Sequence, residues 1–410
     1  MSGPNRLEVA LSEARVLICA GTGGVGKTTI AASLAIQAAR SGRRTLVLTI
    51  DPARRLASAL GLEALGARPT PVRLPKSKGM ATLHAMMLDP KPTFDRLITK
   101  LTEDEAARQR ILENGIYQHF SQAFAGSADY AAMEQVHELV HSEDYDLIVV
   151  DTPPADHALD FLRAPKRLRE FLESRFVSAL VRPALSAGRF GMRLFARPLH
   201  RMFGLLERIA GGGFLDDLRE FLNAIDGLSE GFRERAQRVE EVLLGEQTGF
   251  ILVSSPQAGA NASTIEFLDE LDAFRVQLVG IVVNRMRPWQ GAEAPQALLD
   301  RCDEKTLESD RTTLAAACPK RMTKANRAKA ADEIIERVLA YARICAADEE
   351  KTLALANRAS RHRVPCLPVP ELPRELDHLE GLLEIGLHLR PPSSESGKNR
   401  RRKPSKKEQA

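Results

Sequence analysis

The sequence has 410 residues, 44% hydrophobic and 27% charged, which excludes a wholly disordered chain and supplies apolar material for one large core or two smaller ones. Its formal charge is +4, but the last twenty residues hold seven Lys and Arg against two Glu; the near-neutral body that remains excludes a nucleic-acid-coating domain, whose positive field would cover a folded face. No apolar run reaches the roughly 18 residues of a spanning helix, and MSGPNRLE lacks a leader pattern; with five cysteines in no C-x-x-C spacing, a cytoplasmic protein with reduced thiols is expected.

In chain order, residues 1–14 form an N-terminal segment, and from Arg15 a βαβ unit follows. Val16 to Ala20 and Leu46 to Ile50 are apolar without alternation, as parallel strands covered on both faces are. Between them Thr28 to Arg40 reads as a helix, with Gly42 placed to end it. Residues 81–88 offer another strand, and 91–141 a helical insertion. Buried strands are then expected at Leu147 to Val150, Phe250 to Val253, Val279 to Val283 and Cys366 to Val369. The fold class that follows is α/β, a doubly wound, mostly parallel sheet with helical insertions. The sheet domain spans 15–160 and 246–390.

Composition shifts in the second insertion, 161–245. Seven arginines between Arg175 and Arg208 alternate with Phe and Met, and Pro183, Pro198 and Gly211 to Gly213 interrupt them, so short helices are expected rather than one long one. Two readings stay open for this subdomain: an adaptable hydrophobic surface, or aromatics that pack on the core of the sheet domain. The Ser/Lys/Arg-rich tail, 391–410, is expected to be disordered. It reads as a solubilising extension or as a peripheral contact with anionic membrane or nucleic acid.

Gly21-Thr22-Gly23-Gly24-Val25-Gly26-Lys27-Thr28 fits G-x-x-x-x-G-K-[ST] between a buried strand and a helix. The glycines let the N–H groups of Gly23, Gly24, Val25, Gly26 and Lys27 turn inward around phosphate, and the helix start adds its positive end. Lys27 is expected on the β- and γ-phosphates and the Thr28 hydroxyl on Mg²⁺, with Thr29 beside it. A Gly-rich turn without ligand is the bland alternative, and the strand-turn-helix setting weighs against it. Asp51, ending the second strand, is placed to orient the attacking water, or to cap a helix starting at Pro52; the roles can coexist. Asp151 ends an apolar strand in Walker B form and is expected to hold Mg²⁺, the alternative being a turn or capping aspartate.

These residues resemble the anion-transporting (ArsA) ATPases, the family of arsenite-pump and tail-anchored-protein-targeting ATPases. GTGGVGKTT resembles the deviant Walker A loop, TIDPA (Thr49 to Ala53) switch I, and DTPPADHALDFLRAP (Asp151 to Pro165) switch II. The resemblance implies ATP and Mg²⁺ as cofactors, catalysis by Asp51 and Lys27, metal binding by Thr28 and Asp151, and adenine contacts at Asn284 and Pro370. It also implies that His157 belongs to a nucleotide switch, although a surface helix residue is the alternative there. A dimer with a groove for an apolar client is implied as well.

Three departures qualify it. The family's second loop lysine, which reaches the partner's nucleotide, is replaced by Thr22. Slow turnover as a homodimer, or a heterodimer with a lysine-bearing relative, is therefore expected, unless Arg54 or Arg55 substitutes. The zinc-binding C-x-x-C pair is absent, so no zinc is expected, and no cysteine lies between Cys19 and Cys302 to bind arsenite. The leading expectation is an ATP-hydrolysing dimeric switch. A nucleotide-binding regulatory subunit, or a positioning ATPase of the ParA/MinD type, is the alternative; DPA after the second strand disfavours the latter.

Overall fold

A computed structural model describes residues 6–51, 55–75, 77–123, 127–153, 162–167, 170, 214–256, 260–319, 321–372 and 379–389. Among these, eight strands form one sheet in the order β3-β4-β2-β5-β1-β6-β7-β8. The strands are β1 (Val16–Gly21), β2 (Thr45–Thr49), β3 (Thr70–Pro71), β4 (Leu83–Met87), β5 (Leu147–Asp151), β6 (Thr248–Ser254), β7 (Gln277–Met286) and β8 (Cys366–Pro370). All neighbours are parallel except β3 and β4. The apolar runs read from sequence are strands here, each within a few residues of its expected bounds. The antiparallel β3 was not expected. Two residues long, with Pro71 unable to donate a ladder bond, it sits where such a strand is tolerated, at the edge.

Alternation along β1 divides the core. Val16, Ile18 and Ala20 face one apolar layer, Leu17 and Cys19 the other. Helices α1 (Arg6–Glu13) and α2 (Lys27–Arg40) lie on the second face with the final helix, Leu379–His388. Ala-rich α2 buries Ile30, Ala31, Ala32, Leu34, Ala35 and Ile36 completely, because small side chains let it approach the sheet closely. The first face is covered by α4 (Pro90–Leu101), α5 (Glu105–Glu113), α6 (Gly115–Ala123) and α7 (Ser127–Ser142), after the short α3 (Arg55–Ala59). Phe94, Leu97, Tyr130, Met133 and Val136 of these helices pack in the same layer as Val16 and Ile18.

After the helical residues 162–167, α8 (Phe214–Leu244) adds Phe221, Phe232, Ala236, Val239 and Leu243 to that layer. Its Arg235 forms a buried ion pair with Glu134 of α7, Nε to Oε1 at 2.8 Å. The remaining helices are α9 (Ala260–Phe274), α10 (Pro295–Asp300), α11 (Glu304–Ala317), the 38-residue α12 (Lys324–Arg361) and α13 (Leu379–His388). Among the described residues no helix is long and apolar enough to cross a membrane. The Arg/Phe/Met-rich stretch from residue 171 to 213, His157, Arg54 and the basic tail lie outside the described residues.

Candidate nucleotide site

The carboxyl ends of β1, β2 and β5 meet, because β5 runs between the other two with Asp151 opposite both Cys19 and Thr49. The loop after β1 turns through Gly24 at φ 78° and Gly26 at φ 93°, backbone that side-chain-bearing residues rarely adopt. Gly26 also precedes α2 without any side-chain cap, so the first N–H groups of that helix stay available to an anion. A methyl group at Gly26 would stand 2.3 Å from Asn284 Nδ2. The loop is thus braced from β7, and Asn284 Nδ2 donates to Val25 O at 2.8 Å.

Lys27 is buried, and its ammonium folds back to donate to Gly21 O and Thr22 O, each at 2.9 Å. Burial pulls its pKa below the ordinary lysine value, while Asp151 and Asp51 pull the other way. Thr28 Oγ1 donates to Asp151 Oδ2 at 2.8 Å, and Thr49 Oγ1 reaches the same oxygen at 3.0 Å. Burial pushes the Asp151 carboxyl up to about 6 against these two hydrogen bonds and the nearby Lys27. Its other oxygen, Oδ1, is buried with no hydrogen-bond partner. An orphaned carboxylate oxygen beside a threonine hydroxyl fits a hard divalent cation such as Mg²⁺. Among the described residues no group of three or more His, Cys, Asp or Glu could hold a metal; in a P-loop site phosphate oxygens and water complete the shell.

Gly23, Gly24, Val25, Gly26, Lys27, Thr28 and Thr29 therefore form one turn and the helix start that follows it, with Asp151 against Thr28. Asp51 follows β2 at the same sheet edge, and Arg55, the first residue of α3, approaches it with Nη1 3.7 Å from Oδ2. A helix start at Pro52 lies outside the described residues. Pro370 ends β8 next to β7, pairing with Met286, and Glu371 N donates to Met286 O at 2.8 Å. Asn284 thus touches the loop from the β6 side of the sheet, and Pro370 lies on the next strand out from it.

Sequence reasoning missed the contacts of two residues, Thr49 and Thr152. Thr49 holds the Asp151 carboxylate, a role that only the β2–β5 register discloses. Thr152 donates through both N and Oγ1 to Cys19 O, at 3.3 and 2.8 Å, tying the end of β5 to β1. Thr22 Oγ1, inside the loop, is buried with no hydrogen-bond partner.

A family profile described as anion-transporting ATPase matches residues 14–307. The chain is 28% identical over 284 residues to "ATPase get3" of Botryotinia fuckeliana, covering 69% of this chain and 75% of that protein. It is 30% identical over 278 residues to "ATPase ARSA2" of Chlamydomonas reinhardtii, 67% of this chain and 68% of the other. To "ATPase ASNA1 homolog 1" of Paramecium tetraurelia it is 26% identical over 270 residues, 65% of this chain and 73% of that one. The matched span contains every element that builds the loop and its two aspartates.

Proposed function

Because the chain belongs to the anion-transporting ATPase family, whose activity is ATP hydrolysis, we propose that it is a dimeric, cytoplasmic, ATP-driven switch that takes up a hydrophobic segment of a client protein. The observation that carries this reading is the Thr28–Asp151 contact beneath an uncapped, glycine-turned helix start. Inward N–H groups from Gly23 to Lys27 bind the phosphates, and Lys27 exchanges its bonds to Gly21 O and Thr22 O for β- and γ-phosphate oxygens. Thr28 and Asp151 hold Mg²⁺, which neutralises phosphate charge when bound. Asp51 orients the attacking water. Asn284, whose Nδ2 is committed to Val25 O, offers its amide carbonyl to the base, and Pro370 forms the other side of the adenine pocket.

The client role rests on the relatives named get3 and on the alternation of Arg with Phe and Met between Arg175 and Arg208. Such side chains suit an adaptable apolar groove with a cationic rim. Photo-crosslinking of a radiolabelled apolar helix to the purified protein tests it. Labelling within 161–245 that depends on ATP against ADP is expected; equal labelling in both states would remove the switch. Heterodimerisation is a second reading, motivated by Thr22 at the position of the family's second loop lysine. Light scattering with and without cell extract separates it from the homodimer.

A further inference from the structure

Phosphoryl transfer accumulates negative charge on the equatorial oxygens of the γ-phosphate, and catalysis consists largely of placing positive charge there. In this loop Lys27 supplies one ammonium, and Thr22 supplies none. The missing charge has a source nearby. Arg55 stands on the first turn of α3, four residues after Asp51, with its guanidinium 3.7 Å from the Asp51 carboxylate. That separation is longer than a hydrogen bond, and the Arg55 side chain is 68% exposed, so the arginine is steered toward the site without being fixed in it. Lys27 lies in the field of Asp151, Asp51 and Arg55 together. Among the described residues Arg55 is the one other cation in that group.

We infer that Arg55 is a catalytic residue of this ATPase, supplying from within the same chain the γ-phosphate charge that Thr22 does not provide. Nucleotide entry brings three phosphate oxygens to the neighbourhood of a guanidinium now held by one carboxylate at long range. The fork geometry of arginine favours bidentate contact with phosphate, so Arg55 transfers from Asp51 to the γ-phosphate. Asp51 then exchanges a cation for the attacking water. The water oxygen bonds to the γ-phosphorus, the β,γ-bridging P–O bond breaks with its electron pair going to ADP, and the water proton passes to the Asp51 carboxylate and from there to inorganic phosphate.

This inference rests on the ATPase reading of the site, and the test separates the two. Wild type, Arg55→Ala and Arg55→Lys are compared for turnover, for ADP affinity and for capture of ADP with aluminium fluoride, a mimic of the transferring phosphoryl group. Arg55→Ala is expected to lose about 100-fold or more in kcat and to fail to capture ADP–aluminium fluoride, while binding ADP as wild type does. Arg55→Lys is expected to recover part of both. Wild-type turnover and capture in Arg55→Ala would overturn the inference and leave the ATPase reading standing. So would equal losses in ADP affinity and kcat, which mark a structural role, or wild-type protein that turns over only after a lysine-bearing relative is added. Wild type that binds no Mg·ATP would overturn the reading of the site itself, and the inference with it.

Discussion

At the scale of single residues the phosphate loop depends on close approach. Gly26 holds φ 93° with Asn284 Nδ2 where a Cβ would go, so Gly26→Ala has to move either the loop or the β7 side chain. We expect Mg·ATP affinity to fall about tenfold or more, equivalent to about 1.4 kcal/mol, in titration calorimetry on folded protein. Asp151→Asn separates charge from geometry. The amide can still accept from Thr28 and Thr49, but it removes the negative charge offered to the metal. Nucleotide binding in chelator is expected to persist, with hydrolysis reduced about 100-fold or more and dependence on Mg²⁺ concentration shifted upward. Lys27, Thr28, Asp51 and Asp151 stand out in the sequence as candidates because their motifs are local. The bond from Asn284 to Val25 does not, since it spans 259 residues and depends on β7 lying two strands from β1. Sequence reasoning offered adenine contact for Asn284 and nothing to indicate that its amide also steadies the loop.

At the scale of helices, the contact between α7 and α8 decides how the layer over the sheet is held. Glu134 is buried and accepts from Arg235 Nε at 2.8 and 3.0 Å. Removing the arginine alone strands a carboxylate in the core. Arg235→Met is expected to cost about 3–5 kcal/mol in urea unfolding, and Arg235→Met with Glu134→Leu to recover most of it. One turn along α7, His137 is buried with neither ring nitrogen hydrogen-bonded, stacked on His141 at 4.1 Å. Burial, with Arg235, His141, Arg238 and Lys100 adding to it, lowers its pKa from 6.5 to about 3. Between those two values the unfolded chain binds a proton that the folded one refuses. The contribution of His137 is therefore full above pH 6.5 and is lost as pH falls toward 3, by at most about 1.4 kcal/mol per pH unit. His137→Gln is expected to flatten that part of a chemical-denaturation profile measured against pH. None of this was legible: the alternation of α7 marks a buried face but not which polar groups on it find partners.

At the scale of the molecule, the sheet was legible because seven of its strands are apolar runs bounded by helical patterns. The eighth, β3, carries no such run and is fixed only by its pairing with β4. Protection should follow position in the sheet. Amide hydrogen exchange is expected to be slowest in β5 and β1, the two central strands, and fastest in β3, at the edge; comparable rates across all eight would contradict this layout. The neighbours of β1 also carry a temporal consequence. This strand is translated before both of its neighbours, β5, ending at Asp151, and β6, ending at Ser254. The loop that follows it must wait, unsupported on one side, until β6 has been translated, and Asn284 comes later still. Nascent chains therefore pass through a long interval in which the phosphate-binding peptide exists without the walls that hold its shape.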